Sequence, residues 1–142
     1  MSLVLVADDE PAVLEVLSQV VEDLGHDVLR ARDGEEAFGL ARARRPHLVV
    51  TDHLMPKLSG LELCHRLRRD ELLREVPVIL LSGVLQQGVP ESLAFLPKPF
   101  ELNDFEELVY QKLASVPERT LPQAAQPVEA DLAAFSLPLP GG

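Results

Sequence analysis

The stretch Leu3-Val4-Leu5-Val6-Ala7-Asp8-Asp9-Glu10-Pro11 sets the terms for the rest of the chain. Five consecutive apolar residues read as a buried strand, because a strand covered on both faces shows no polar alternation. The run stops on three acidic residues, and Pro11 suits the first turn of a helix, where a missing N–H costs nothing. Val13, Leu17, Val20 and Leu24 follow at spacings of four, three and four, one apolar stripe of a helix that Gly25 closes. A buried strand running straight into an amphipathic helix is the repeating half of a parallel α/β sheet.

The same grammar recurs along the chain. Asp27 to Ala31 is a weaker second strand, Asp33-Gly34 a turn, and Glu35 to Arg44 a helix with a basic end and Pro46 beyond it. Leu48 to Thr51 is a third strand that runs into Asp52. Met55-Pro56 begins a loop, and Gly60 opens a helix with Leu63 and Leu67 facing inward. Val76 to Leu81 is a fourth strand ended by Ser82-Gly83, and Phe95-Leu96 belongs to a short fifth strand followed by Lys98-Pro99-Phe100. A last helix covers Glu101 to Ser115, with Leu102, Phe105, Leu108 or Val109, and Leu113 on its buried side. The pattern predicts five strands and at least four helices.

With 142 residues there is enough chain for one core without staples. From Pro117 onward the composition shifts, with five of the twelve prolines (Pro117, Pro122, Pro127, Pro138 and Pro140) and a closing Gly-Gly. Such a segment buries too little to offset its ordering entropy, so residues 1–116 are expected to be the domain and 117–142 a flexible tail. Lys and Arg number 13 against 23 Asp and Glu. That acidic balance argues against a nucleic-acid binder and against a surface for anionic lipid. No apolar run approaches the ~20 residues of a membrane span, and no signal segment opens the chain, so a cytoplasmic location is expected. Cys64 stands alone and reads as a core residue. His26, His47, His53 and His65 lack metal-site spacing.

Four polar features follow four different apolar runs: Asp8-Asp9, Asp52, Ser82 and Lys98. Right-handed crossovers put all strand C-termini of a parallel sheet along one edge, and open α/β sheets bind ligands there. Three carboxylates gathered at that edge repel, so one must be protonated or a cation must join them. Mg²⁺ takes oxygen ligands, one or two carboxylates among them. A lysine and a serine hydroxyl can each meet a phosphoryl oxygen, and a carboxylate can itself attack phosphorus. The set suits phosphoryl transfer, where positioning and charge neutralisation do most of the catalysis.

Asp8-Asp9-Glu10-Pro11, Asp52-His53-Leu54-Met55-Pro56 with Gly60, Ser82-Gly83 and Lys98-Pro99-Phe100 resemble, in order and spacing, the motifs of response-regulator receiver domains over residues 3–115. The resemblance implies a doubly wound, flavodoxin-like parallel sheet in the order 2-1-3-4-5. It implies phosphotransfer from a histidine kinase or a histidine phosphotransfer protein to Asp52, and protein contacts with an output partner. Asp9 would bind Mg²⁺ directly, Asp8 mainly through a metal-bound water, and the Leu54 backbone carbonyl would complete the protein ligands beside Asp52. Lys98, before a cis bond to Pro99, would pair with the acceptor and then with its phosphoryl group. Ser82 and Phe95 would move as the switch. Such a domain catalyses only its own phosphorylation and dephosphorylation and is not otherwise an enzyme.

Three departures from the resemblance matter. The stretch from Ser82 to Lys98 is short and broken by Gly83, Gly88 and Pro90, which predicts a shortened fourth helix and disfavours dimerisation through that face. His53 and Ser59 replace commoner residues without removing a chemical group. Leu54 and Val84 are apolar at positions that influence the attacking water in the family, which predicts a long-lived phosphorylated form.

Each site residue also has a plainer reading. Asp8 and Asp9 suit caps of the first helix, Asp52 and Ser82 suit turns, Lys98 an exposed position and Phe95 the core. A Mg²⁺-dependent phosphohydrolase working through an aspartyl phosphate is the alternative function, but residues 53–56 offer no second carboxylate. An unphosphorylated scaffold is a further alternative.

Overall fold

The computed structural model describes residues 2–83 and 93–114. Five strands form one parallel sheet: β1 Leu3–Ala7, β2 Asp27–Ala31, β3 Leu48–Asp52, β4 Val78–Ser82 and β5 Ala94–Pro97. Their order is β2-β1-β3-β4-β5, the doubly wound arrangement expected, in which the sequence order of the strands reverses between β1 and β3. Four helices complete the described residues: α1 Pro11–Asp23, α2 Gly34–Arg44, α3 Gly60–Arg69 and α4 Leu102–Ala114. The expected short helix between β4 and β5, Val84 with its neighbours, and the 117–142 tail lie outside the described residues.

The sheet divides the core in two. Successive strand residues point to opposite faces. Leu5, Val49, Val78 and Leu80 therefore pack against Ala37 and Ala41 of α2 and Leu63, Cys64 and Leu67 of α3. Val4, Val6, Val50, Ile79 and Leu81 face Leu14, Leu17 and Val21 of α1 and Phe105 and Val109 of α4. β3 and β4 are buried along their whole length, as strands covered on both faces must be.

Three expectations shift. The buried stripe of α1 is Leu14, Leu17 and Val21, with Val13 and Val20 at its margins and Leu24 exposed. Apolar residues cover more than one side of α1, so periodicity alone could not choose between overlapping stripes. The surface offered by β1, β3 and Phe105 chose. Strand β4 begins at Val78, not Val76, because Pro77 has no N–H for the ladder, although its carbonyl still accepts from Val49 N at 3.0 Å. In α4, Leu102 is exposed and only Phe105 and Val109 are fully buried.

Helix starts are chemically specified. Asp33 caps α2 by accepting from the Glu36 N–H at 2.8 Å, so this helix begins one residue earlier than the Asp33-Gly34 turn suggested. Ser59 and Glu62 form a reciprocal capping box on α3. Gly25, at φ 97°, takes the left-handed turn that ends the α1 segment, a conformation open to glycine at little steric cost.

Candidate functional site

The strand tips bring the predicted residues together. Asp52 is the last residue of β3 and is 7% exposed, while Asp8 follows β1 and is 1% exposed. Asp9 beside it faces solvent. Carboxylate oxygens of Asp8, Asp9 and Asp52 all lie within 4.8 Å of one another. Lys98, just beyond β5, places Nζ 2.7 Å from Asp52 Oδ1. Its backbone N–H donates to the Ser82 carbonyl at 2.8 Å, which ties the β5 tip to the β4 tip. The Lys98–Pro99 peptide is cis. Ser82 is buried at the end of β4, between the Asp52 and Lys98 strands.

The backbone around Asp8 removes the capping reading. The N-cap of α1 is Glu10, and no side chain caps that helix. Asp8 instead accepts from the Glu10 N–H through Oδ1 at 2.9 Å, and its own N–H donates to the Ala31 carbonyl at 3.1 Å. The side chain is thereby turned into the cluster, where Oδ2 is buried and has no hydrogen-bond partner. A buried, unpaired carboxylate oxygen is costly unless a cation or proton meets it.

Burial pushes the Asp8 carboxyl up to about 6, reinforced by the nearby Asp52 and Asp9 charges. The Glu10 N–H and the Lys98 ammonium hold it back from rising further. Burial alone would lower Lys98, but the hydrogen bond and charge of Asp52, with the charges of Asp8 and Glu10, outweigh it and raise Lys98 above its ordinary value. Lys98 is a firm ammonium at neutral pH. One ammonium facing three carboxylates leaves negative charge uncompensated, and hard oxygen donors in that geometry fit Mg²⁺.

The β3–α3 connection is built tightly against β3. His53 N donates to the Leu81 carbonyl at 2.9 Å, and Gly60 N donates to the His53 carbonyl at 2.8 Å. A Cβ on Gly60 would overlap the Asp52 carbonyl oxygen, so the helix can approach this closely only with glycine there. The Thr51 hydroxyl donates to the Asp52 carbonyl at 2.9 Å. Leu54, whose carbonyl the family resemblance nominated, is 68% exposed. Phe95 is half-buried, pairs in register with Leu80, and packs on the α2–α3 side of the sheet.

Sequence reading missed the Ser59–Glu62 box, although Ser followed three residues later by Glu was there to be seen. Thr51 carried no signal, because a threonine within a strand is ordinary.

The response regulator receiver domain family matches residues 4–110. This chain is a member of it. The receiver is 36% identical over 134 residues to the DNA-binding dual master transcriptional regulator RpaA of Synechocystis, covering 89% of this chain and 54% of that protein. It is 31% identical over 112 residues to the polar-differentiation response regulator DivK of Brucella anthropi, covering 75% of this chain and 91% of DivK. The receiver thus spans about half the length of curated transcriptional regulators it matches, and nearly all of DivK. Among solved structures, the signal receiver domain of a histidine kinase from Syntrophus aciditrophicus superposes with a TM-score of 0.76 at 30% identity, covering 95% of this chain and all of that one. No helix among the described residues of the receiver is long and apolar enough to cross a membrane.

Proposed function

We propose that the receiver accepts a phosphoryl group on Asp52 from a phosphohistidine of a histidine kinase or a histidine phosphotransfer protein, and that the phosphorylated form changes its contacts with an output protein. The observation that carries this reading is the 2.7 Å Lys98–Asp52 pair beside the orphaned Asp8 oxygen. An ordinary buried ion pair would not be set against two further carboxylates.

A carboxylate oxygen of Asp52 attacks phosphorus, the new O–P bond forms as the N–P bond of the donor breaks, and the imidazole nitrogen keeps the electron pair. Lys98 holds the acceptor in place by its ammonium and afterwards faces the transferred group, whose charge replaces the carboxylate it had paired. Ser82, buried between the two, supplies a hydroxyl to a phosphoryl oxygen, and Phe95 repacks behind it. Asp8, Asp9 and Asp52, with the Leu54 carbonyl, are the residues that would hold Mg²⁺, which when bound neutralises the phosphoryl oxygens. The chain turns over no separate substrate. Its one covalent step is on itself, and the exchange belongs to the cytoplasm, where ATP supplies the donor.

Incubation with Mg²⁺ and acetyl phosphate, read by intact mass, tests the proposal. One added phosphoryl group is expected, lost without Mg²⁺ and lost in Asp52→Asn. Labelling that persists in Asp52→Asn would assign the acceptor elsewhere.

A further inference from the structure

The basic residues of this acidic chain are unevenly placed. Six of its 13 lysines and arginines are Arg42, Arg44, Arg45, Arg66, Arg68 and Arg69, at the C-terminal ends of α2 and α3. Helices in a parallel α/β sheet run opposite to the strands, so these ends lie at the edge remote from Asp52. Cations in a last helical turn complement the helix dipole, which accounts for some basic residues at each end. It does not account for their convergence. The guanidinium groups of Arg42 and Arg66, from different helices, each stand 5.8 Å from the centroid of the Phe38 ring. Arg42 Nε lies 3.6 Å from Asp70 Oδ2.

Two adjoining grooves of about 380 and 400 Å³ meet there, sharing Arg69 and Asp70 in their walls. Leu72, 64% exposed, lines the first. The Phe38 ring and Asp70 offset only part of the positive charge that Arg42, Arg66 and Arg69 bring to these walls, and a concave surface concentrates what remains. Guanidinium forks match carboxylates in two-point geometry.

We infer that this α2–α3 groove docks an acidic peptide segment of a partner protein, its carboxylates meeting Arg42, Arg66 and Arg69 and an apolar side chain covering Leu72. A nucleic acid fits less well. Asp70 and Glu71 stand in the groove wall, and the chain's net charge of −10 repels a polyanion of unbroken negative charge. A peptide can alternate charge and apolar contact as this wall does. The groove and Asp52 are at opposite ends of the sheet, so both can be engaged at once, and the inference stands apart from the phosphoacceptor reading.

A fluorescein-labelled peptide of repeating Glu-Glu-Leu, titrated with the full chain and followed by anisotropy at low salt, tests the groove. Saturable binding is expected, weakened about tenfold or more in the Arg42→Gln/Arg66→Gln double variant and by a smaller factor in Leu72→Ser. Thermal melts of each variant check the fold, and Arg69→Gln serves should the double variant melt early. Absent binding, binding unchanged in these variants, or tighter binding of a single-stranded oligonucleotide of equal charge would each overturn the inference.

Discussion

Lys98 Nζ lies 2.7 Å from Asp52 Oδ1 although β4 separates their strands. Neighbouring strands are about 4.8 Å apart, so the two side chains together span about 10 Å across the sheet edge to make the pair. That reach holds β3, β4 and β5 at one point, with Ser82 between.

Replacing Lys98 by Met leaves Asp52 facing Asp8 and Asp9 without its cation. Stability without metal should fall by about 1–3 kcal/mol. Labelling by acetyl phosphate should slow at least tenfold, since charge stabilisation of the transferring group is lost. Asp52→Asn should instead raise the melting temperature without metal, by relieving repulsion. Urea titrations and labelling time courses read the two effects separately. A Met variant labelled at the wild-type rate would remove Lys98 from the chemistry.

Asp8 should carry the pH dependence of Mg²⁺ binding. Its folded value of about 6 lies above the ordinary 3.8, so without metal it contributes stability that is present below 3.8 and lost as pH rises through about 6. Mg²⁺ requires the charged form. Its affinity should therefore be full above about pH 7 and fall steeply below 6, as protons compete. Titration calorimetry across this range should show that slope, and Asp8→Asn should flatten it.

Two glycines make opposite predictions. A Cβ on Gly60 meets the Asp52 carbonyl oxygen, whereas one on Gly39, inside α2, meets nothing within 4 Å. Gly60→Ala should destabilise by about 1–3 kcal/mol and depress labelling, because α3 must move away from β3. Gly39→Ala should stabilise by about 0.5–1 kcal/mol and leave labelling alone. Thermal melts of the two variants side by side decide the matter.

Leu54, two residues after Asp52, is exposed, and its side chain can neither donate nor accept a hydrogen bond to orient water. The phosphorylated chain should keep its group for minutes or longer. Leu54→Asn should shorten that lifetime several-fold, read as phosphate release after donor removal. Equal lifetimes would show that this side chain does not govern hydrolysis.

Two histidines fasten the first strand. His26 Nδ1 accepts from the Ser2 N–H at 3.2 Å and His47 Nδ1 from the Leu3 N–H at 3.0 Å. Burial lowers His26 below its ordinary 6.5, so the stability tied to its neutral form is present above 6.5 and lost as pH falls toward the folded value. Asp8 without metal slopes the other way, so the comparison is between wild type and His26→Gln at each pH. Their difference in urea midpoint should shrink on acidification, as should amide-exchange protection at Ser2.

Strand bounds that rest on composition were legible in the chain. β1 runs over the residues its apolar content marked, because a covered strand needs little but apolar residues and a polar stop, and β2 keeps its expected bounds as an edge strand with only Ala31 buried. The gathering of Asp8, Asp9, Asp52, Ser82 and Lys98 followed from each standing at a strand tip, since crossover handedness leaves those tips one edge to share. Other features required the packed chain. Which side of α1 is buried depended on the surface waiting for it, not on spacing within the helix. That Asp8 is buried with one oxygen unpaired while Asp9 faces water depended on the Ala31 carbonyl and the Glu10 N–H, groups any sequence carries. The placement of Arg42 and Arg66 each beside the Phe38 ring joins two helices whose relative position no local pattern encodes. Local sequence chooses each element and the edge its ends occupy, because those choices depend on short-range sterics and apolar content. Which oxygen is left without a partner, and which cations share a ring, is decided only when distant segments pack together.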